Sequence, residues 1–582
     1  MYLSRIRILN FRNFAELDVE LEGNVVVVGE NRVGKSNLLS ALRLIFDPTL
    51  PDSARELSLS DFWDGLGTPD EDAKITVSAE IEDFEHDMDV LCVLTDFRLD
   101  GDPDTVRLTY EFRPRADLEG DPESDDDYEF VCYGGEDEAK EFGHDLRRRI
   151  AMDLLPALRD AEGDLSSWRR SPLRPLIEEA FGGVERDELQ KVADSIANAT
   201  EKITEFEAVS GPRQDVEPRL GFGPTEATRL YRSIRLLIDA GARSITEASL
   251  GSANLIYLTL KALQLNRMLE ENRRDHTILA IEEPEAHLHP HLQRSVYRHL
   301  FESVGKEENP LSIFLTTHSP HIASVAPLRS LLLLKETTDE GTVGCSTASL
   351  SLTDSEFEDL TRYLDVTRAE MLFARGVILV EGDGERFLVP EFANILKTPL
   401  DPLGITVCSV GGTNFRPYVK FLTALGIPFA VVTDWDPRKD KTPLGYRRSL
   451  NLVSVIEETR TGKSQDKLIQ ELEEEDSYGK FCERCEKYGV FSNYTTLEVD
   501  LFENGFADAI IETLKEATLG SERKGLVEAW AKDHAKLDPE KFLAIVEFMG
   551  KGRFTQRLAT RIAGRSVPGY IASAIKFVAK RV

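Results

Sequence analysis

Two groups of residues in this chain have the types and spacing for phosphate chemistry. The first opens with Gly29-Glu-Asn-Arg-Val-Gly34-Lys35-Ser36, which fits G-x-x-x-x-G-K-[ST] between an apolar strand-like run and a helix-like run. There the glycines let backbone N–H groups face phosphates, Lys35 reaches the β- and γ-phosphates, and Ser36 ligates Mg2+. The helix that follows adds its positive end. Far downstream, Thr277–Ile281 is an apolar run ending in Glu282 and Glu283. One acid of such a pair holds the magnesium shell and the next orients water. Ile313–Thr317 is a third apolar run and ends in His318, which could contact a γ-phosphate. Ser249-Leu-Gly251-Ser-Ala-Asn254 is a turn of small residues before an apolar helix, able to present N–H and hydroxyl groups to phosphate.

The second group is acidic. Val377–Val380 ends in Glu381-Gly382, with Glu385 four residues after Glu381, and Val431–Thr433 ends in Asp434-Trp-Asp436. A helix starting at Glu381 would turn both glutamates one way. Acids at the C-terminal ends of adjacent parallel strands converge on one crevice. Crowded carboxylates repel, and hard divalent cations such as Mg2+ or Mn2+ relieve that repulsion. The competing reading of each motif alone is a pair of helix caps. Thr496-Leu-Glu498-Val-Asp500-Leu501 reads as a short strand with alternating acids, and Gly550-Lys551-Gly552-Arg553 as a glycine-flanked turn bearing a cation.

The elements that must carry these residues form an α/β pattern. Strands are expected at Leu3–Leu9, Val25–Val28, Ile75–Ile81 and Val106–Phe112, with a helix over Lys35–Ile45. Segments 145–162 and 185–208 show three- and four-residue apolar spacing, so residues 143–242 read as a helical insertion. Strands return at Ile278–Ile281, Ser312–Thr316 and Leu331–Lys335. A new α/β unit begins near Val377, and roughly the last 80 residues read as helical. The expected domains are 1–142 and 243–370 for the two parts of one ATPase head, 143–242 for the insertion, 371–500 for the second α/β domain, and 501–582 for a helical part completing its site.

The bulk numbers set limits. The chain has 582 residues, 41% hydrophobic and 30% charged, as in a soluble globular protein. No run approaches the roughly 20 apolar residues of a membrane span, and Met1–Phe11 reads as a strand rather than a signal peptide, so a cytoplasmic protein is expected. The net charge of −33 disfavours nucleic acid unless cations gather locally. The acidic run from Asp117 to Glu138 reads as a solvated loop. Of six cysteines, Cys482 and Cys485 form the one C-x-x-C pair and read as helix thiols rather than zinc ligands.

The first group resembles the ABC ATPase head of SMC and RecF-type proteins, and Asn10-Phe-Arg12-Asn-Phe14 is similar to that family's N-terminal signature. The resemblance implies a nucleotide site of Arg12, Gly29, Asn31, Gly34, Lys35, Ser36, Asn37, Glu282, Glu283 and His318, with Ser249 and Gly251 acting on the nucleotide of a second head. Glu282 stands where many ABC proteins carry Asp, and Ser58–Trp63 lies where a Q-loop glutamine is expected. The second group resembles the Toprim domain. Head plus Toprim together resemble the OLD (overcoming lysogenization defect) nuclease family over nearly the whole chain, with 143–242 as its dimerisation region. That implies two metal ions held by Glu381, Glu385, Asp434, Asp436, Glu498 and Asp500, with Lys551 near the scissile phosphate. Val410-Gly411-Gly412-Thr413-Asn414 matches the family's glycine turn.

The implied activity is an ATP-regulated DNA endonuclease or nickase. It would use ATP and Mg2+ or Mn2+ (two in the Toprim site, one with nucleotide), with Lys551, Glu381, Asp434 and Glu283 as catalytic groups. The expected partners are DNA and at least a second copy of the chain, and no membrane. Two other readings stay open: an ATP-dependent DNA clamp with an inactive Toprim module, and the nuclease subunit of a Gabija-type anti-phage complex paired with a UvrD-like helicase.

Overall fold

In the computed structural model the described residues are 1–582 except 119, 158–159, 168–169, 182–218, 223–233, 305–309, 338–339 and 476. The chain divides into two compact units, Met1–Ser349 and Leu350–Val582.

The first unit is built on an 11-stranded sheet. Its strands are β1 (Tyr2–Phe11), β2 (Phe14–Glu20), β3 (Val25–Gly29), β4 (Ile75–Glu82), β5 (Val106–Pro114), β6 (Tyr128–Gly134), β7 (Ile150–Leu155), and β11 (His276–Glu282), β12 (Leu311–Thr317), β13 (Leu331–Thr337) and β14 (Gly341–Ser346). Between them lies a small antiparallel sheet of β8 (Arg219–Phe222), β9 (Ile234–Ile238) and β10 (Arg243–Ser244). The large sheet runs β6-β5-β4-β1-β2-β14-β13-β3-β12-β11-β7. From β13 to β7 it is parallel; from β14 to β6 it is antiparallel. In the parallel half β3, β12 and β11 are neighbours, so their C-terminal ends share one edge. The four valines of β3 are fully buried, as expected for a central parallel strand covered on both faces.

The expected strands and the helix after the P-loop (Lys35–Phe46) are present. Two segments differ. Within the segment expected to be helical, helix His144–Arg149 stops and β7 pairs in parallel with β11, because Ile150, Ala151 and Met152 are a buried run whose three-residue spacing mimics a helix face. The segment 185–208 lies outside the described residues. The acidic stretch is only partly loop, since β6 occupies Tyr128–Gly134 and pairs with β5.

The second unit holds a four-stranded parallel sheet ordered β16 (Ile405–Ser409), β15 (Gly376–Val380), β17 (Phe429–Thr433), β18 (Val490–Ser492). The C-terminal helices from Ala507 onward share one core with this sheet, through Ile510, Leu514, Trp530, Phe554 and Ile575. Cys482 and Cys485 lie on helix Tyr478–Glu486. Among the described residues no helix is long and apolar enough to cross a membrane.

One titration couples to the head fold. His276 opens β11 at 3% exposure, with Nε2 2.8 Å from Ser312 Oγ. Burial lowers its pKa from 6.5 to about 3. The unfolded chain therefore binds this proton first, and stability falls as pH drops below about 6.5. Between about pH 7 and pH 5.5 the loss is on the order of 1 kcal/mol. Equilibrium unfolding should show that extra loss in the wild type relative to His276→Asn; equal losses would contradict it.

Candidate functional site

The first site is assembled at the edge where β3, β12 and β11 end. Gly29 has φ 156°, and a Cβ there would lie 2.7 Å from Leu334 O; Gly34 has φ 91° and caps the following helix. Both positions require glycine. The Lys35 ammonium is folded back onto the loop, donating to Gly29 O at 3.1 Å and Glu30 O at 2.9 Å. Burial lowers its pKa to about 8. Asn31 and Ser36 are exposed, open to a ligand.

Arg12 is tied to this loop. Its Nη1 donates to Asn37 Oδ1 at 3.0 Å and its Nε to Asp61 Oδ1 at 2.9 Å, while Asn37 Nδ2 donates to Asn13 Oδ1 at 2.7 Å. Asn13 in turn donates to Val33 O and Thr342 Oγ1. Asp61, Asn13 and Thr342 were not singled out by the sequence.

At the end of β11, Glu283 takes φ 40°, a strained left-handed turn. His318 Nε2 lies 3.6 Å from Glu283 Oε1. Burial, then the Lys35 charge, lowers the His318 pKa. Glu285 accepts from His318 N at 2.6 Å and Thr317 Oγ1 at 2.8 Å, and burial raises its pKa. Lys35, Glu283, Glu285 and His318 thus form one electrostatic cluster. Glu282 points elsewhere, its Oε2 accepting from Ala157 N at 3.4 Å.

Ser249 caps helix Leu250–Glu270, its hydroxyl accepting from Ser252 N. A Cβ at Gly251 would lie 2.3 Å from His287 O, so this turn packs directly on the loop after Glu283. Gly251→Ala should therefore lower head stability by about 1–3 kcal/mol. An unchanged denaturation midpoint would show that the loop yields freely.

The second site lies where β15, β17 and β18 end. Glu381 follows β15 and its Oε1 is saturated: Thr433 Oγ1, Asp434 N at 2.9 Å and Arg448 Nη1 at 2.6 Å all donate to it. Glu385 lies in the first turn of helix Asp383–Ile395 and accepts from Gly382 N at 3.2 Å. Because the helix starts at Asp383, Glu381 itself is a strand-end residue, not part of a helical pair. Burial pushes the Glu385 pKa up to about 7, and Glu381 and Glu498 add repulsion. Burial likewise holds Asp434 well above its usual value, with Glu385 and Glu381 next in effect. Asn493, just past β18, donates to Asp434 Oδ1 at 2.6 Å.

Glu498 is 2% exposed, and its Oε2 is buried without a hydrogen-bond partner. It does not lie on a strand. Residues Leu497–Leu501 form a short helix, and all five are buried, so the alternation of acids carried no facing information. Lys551 is not in a turn either. It starts helix Lys551–Ala559, after Gly550 at φ 87°. Gly552 makes this possible: its Cβ position lies 3.3 Å from Asp383 Cβ, so the two helix starts nearly touch. Lys551 Nζ then reaches 3.4 Å from Glu498 Oε1. Burial lowers its pKa, but the carboxylates led by Glu498 outweigh this and hold it above the ordinary lysine value.

Glu381, Glu385, Asp434, Glu498 and Lys551 are thus brought together. Asp436, at φ 49°, is joined to Glu381 through Arg448, whose Nη2 donates to it at 2.8 Å and whose Nη1 donates to Glu381. Asp500 accepts from the Tyr494 backbone, and burial raises its pKa to about 6. Arg448, Asn493 and Tyr570, which hydrogen-bonds Asn493 and faces Asp434, were not foreseen. The strand-end rule that found Asp434 also covers Asn493.

Among the described residues no three His, Cys, Asp or Glu side chains stand as a ready-made ion-holding group. The donor set nevertheless fits a hard divalent cation. It offers only carboxylate oxygens, one of them buried and unpartnered, in a cluster whose mutual repulsion a cation would relieve.

Comparison with known proteins finds the two corresponding domains. Residues 1–150 and 148–323 match the AAA ATPase domain family, and residues 372–436 match the overcoming lysogenization defect protein-like TOPRIM domain. The chain is 26% identical over 490 residues to the OLD nuclease of Thermus scotoductus, covering 80% of this chain and 85% of the relative. It is 23% identical over 560 residues to endonuclease GajA of Bacillus cereus, covering 88% and 91%. Among solved structures, the C-terminal region of the Xanthomonas campestris OLD protein is 43% identical, with 36% of this chain and 96% of that one covered and a TM-score of 0.31. With an AAA ATPase domain over more than half its length and an OLD-type Toprim domain after it, the chain belongs to the overcoming lysogenization defect family.

Proposed function

We propose that this chain is a divalent-metal-dependent DNA endonuclease or nickase, controlled by nucleotide bound in its head. The observation that carries the reading is the cluster of Glu381, Glu385, Asp434 and Glu498 facing Lys551, with an unpartnered buried oxygen on Glu498. The names of the relatives, OLD nuclease and endonuclease GajA, support it.

Glu385, Asp434 and Glu498 would hold Mg2+ or Mn2+, with Glu381 and Asp436 beside them. Bound metal supplies activation of water and charge neutralisation at the leaving oxygen. Lys551 stabilises the extra negative charge of the pentacoordinate phosphate, and Glu498 keeps it protonated and aimed. Asn493 orients Asp434, and Thr433 fixes Glu381.

In the head, Lys35 exchanges its loop carbonyls for nucleotide phosphates, and Glu283 with His318 faces the γ-phosphate. Ser249 and Gly251 serve the nucleotide of a second copy, so ATP should favour a dimer, read by light scattering. The biological role we propose is anti-phage defence or DNA processing, the first supported by the name of endonuclease GajA among the relatives. The test of the activity is supercoiled plasmid incubated with Mg2+ or Mn2+. Nicked circles should form, chelator should stop them, and Glu381→Ala and Asp434→Ala should prevent them. Undiminished nicking by both variants would move the chemistry elsewhere.

A further inference from the structure

The acidic site is electrostatically lopsided. On one side, Glu385, Asp434 and Glu498 repel one another, Lys551 Nζ lies 3.4 Å from Glu498 Oε1, and Glu498 Oε2 has no hydrogen-bond partner. On the other side, Glu381 and Asp436 already share a cation. Arg448, on helix Leu444–Thr461, is 12% exposed and grips both carboxylates with separate arms of its guanidinium, Nη1 to Glu381 at 2.6 Å and Nη2 to Asp436 at 2.8 Å. Nη1 also reaches Thr433 Oγ1 and, at 3.0 Å, Asp434 O.

A planar fork bridging two acids is a strong, geometrically specific contact. It fixes a positive charge between Glu381 and Asp436, where a second cation would be repelled, and adds to the Thr433 Oγ1 and Asp434 N donors already on Glu381 Oε1. Asp436 takes φ 49°, a left-handed turn that Asp tolerates better than most residues, with its N–H donating to Thr495 O at 3.1 Å and its carboxylate meeting the fork.

We propose that Arg448 is a resident counter-cation that makes metal loading sequential. One divalent ion binds the Glu385, Asp434 and Glu498 side with Arg448 in place. A second ion reaches Glu381 and Asp436 only when the guanidinium withdraws. The inference rests on the metal-site reading above. Arg448 is a positioning residue in this scheme: it sets the occupancy of the second position and touches no substrate.

The experiment is Mn2+ binding to the nucleotide-free full chain, counted by electron paramagnetic resonance of free Mn2+ and by calorimetry. The wild type should show one tight and one weaker step. Arg448→Met should tighten the second step by about tenfold or more, the scale of releasing a charged hydrogen-bonded partner. Arg448→Lys, which keeps the charge but cannot fork, should fall between them and guards against a misfolded methionine variant. A second step equal to wild type in both folded variants overturns the inference. Asp434→Asn separates the two claims, since loss of the tight step upholds the metal site whatever Arg448 does. Unchanged binding in Asp434→Asn would remove the metal-site reading itself, and this inference with it.

Discussion

Replacing Lys551 with Met is expected to slow single-turnover DNA cleavage by about 10²–10³-fold, the cost of losing one well-placed charge donor at an oxyanion. The same change should tighten metal binding. Lys551 Nζ sits 3.4 Å from Glu498 Oε1, and its removal leaves the carboxylates with more negative charge to share with a cation. These opposite signs distinguish a group that acts on phosphate from one that merely supports the fold. A quench-flow rate and a Mn2+ titration on the same preparation read both. A wild-type rate, or metal binding weakened in parallel with the rate, would contradict the role assigned to Lys551.

Lys35→Ala should weaken ATP binding by about 100-fold, measured with a fluorescent ATP analogue. A buried ammonium that donates to two loop carbonyls has a strong incentive to exchange them for phosphate oxygens. Metal-dependent cutting without nucleotide should persist in this variant, because the proposed metal ligands Glu385, Asp434 and Glu498 are a different set of residues from the P-loop. ATP affinity equal to wild type would remove Lys35 from the site.

The placement of the motifs was legible in the sequence wherever they sit on a strand end. The P-loop, Glu283, His318, Glu381 and Asp434 all follow apolar runs that became central parallel strands, and period and punctuation sufficed to place them. Local pattern failed where burial was complete. The stretch Ile150–Met152 reads equally as a helix face or a buried strand, and Leu497–Leu501 buries acids and aliphatics alike, so its alternation misled.

Residues that act singly across long separations left no local trace. Arg448 meets Glu381 from 67 positions away, and Asn493 meets Asp434 from 59. Glu285 lay in plain view beside Glu283. Its role became visible only when His318 N and Thr317 Oγ1 were found to donate to its carboxylate.

The central claim is that one chain carries two separable sites, with DNA cut at the carboxylate cluster. The most direct test is the initial rate of plasmid nicking in Mn2+, without nucleotide, for wild type, Asp434→Asn and Lys35→Ala. The account predicts no metal-dependent nicking by Asp434→Asn and nicking retained by Lys35→Ala. Nicking by Asp434→Asn at the wild-type rate would contradict it.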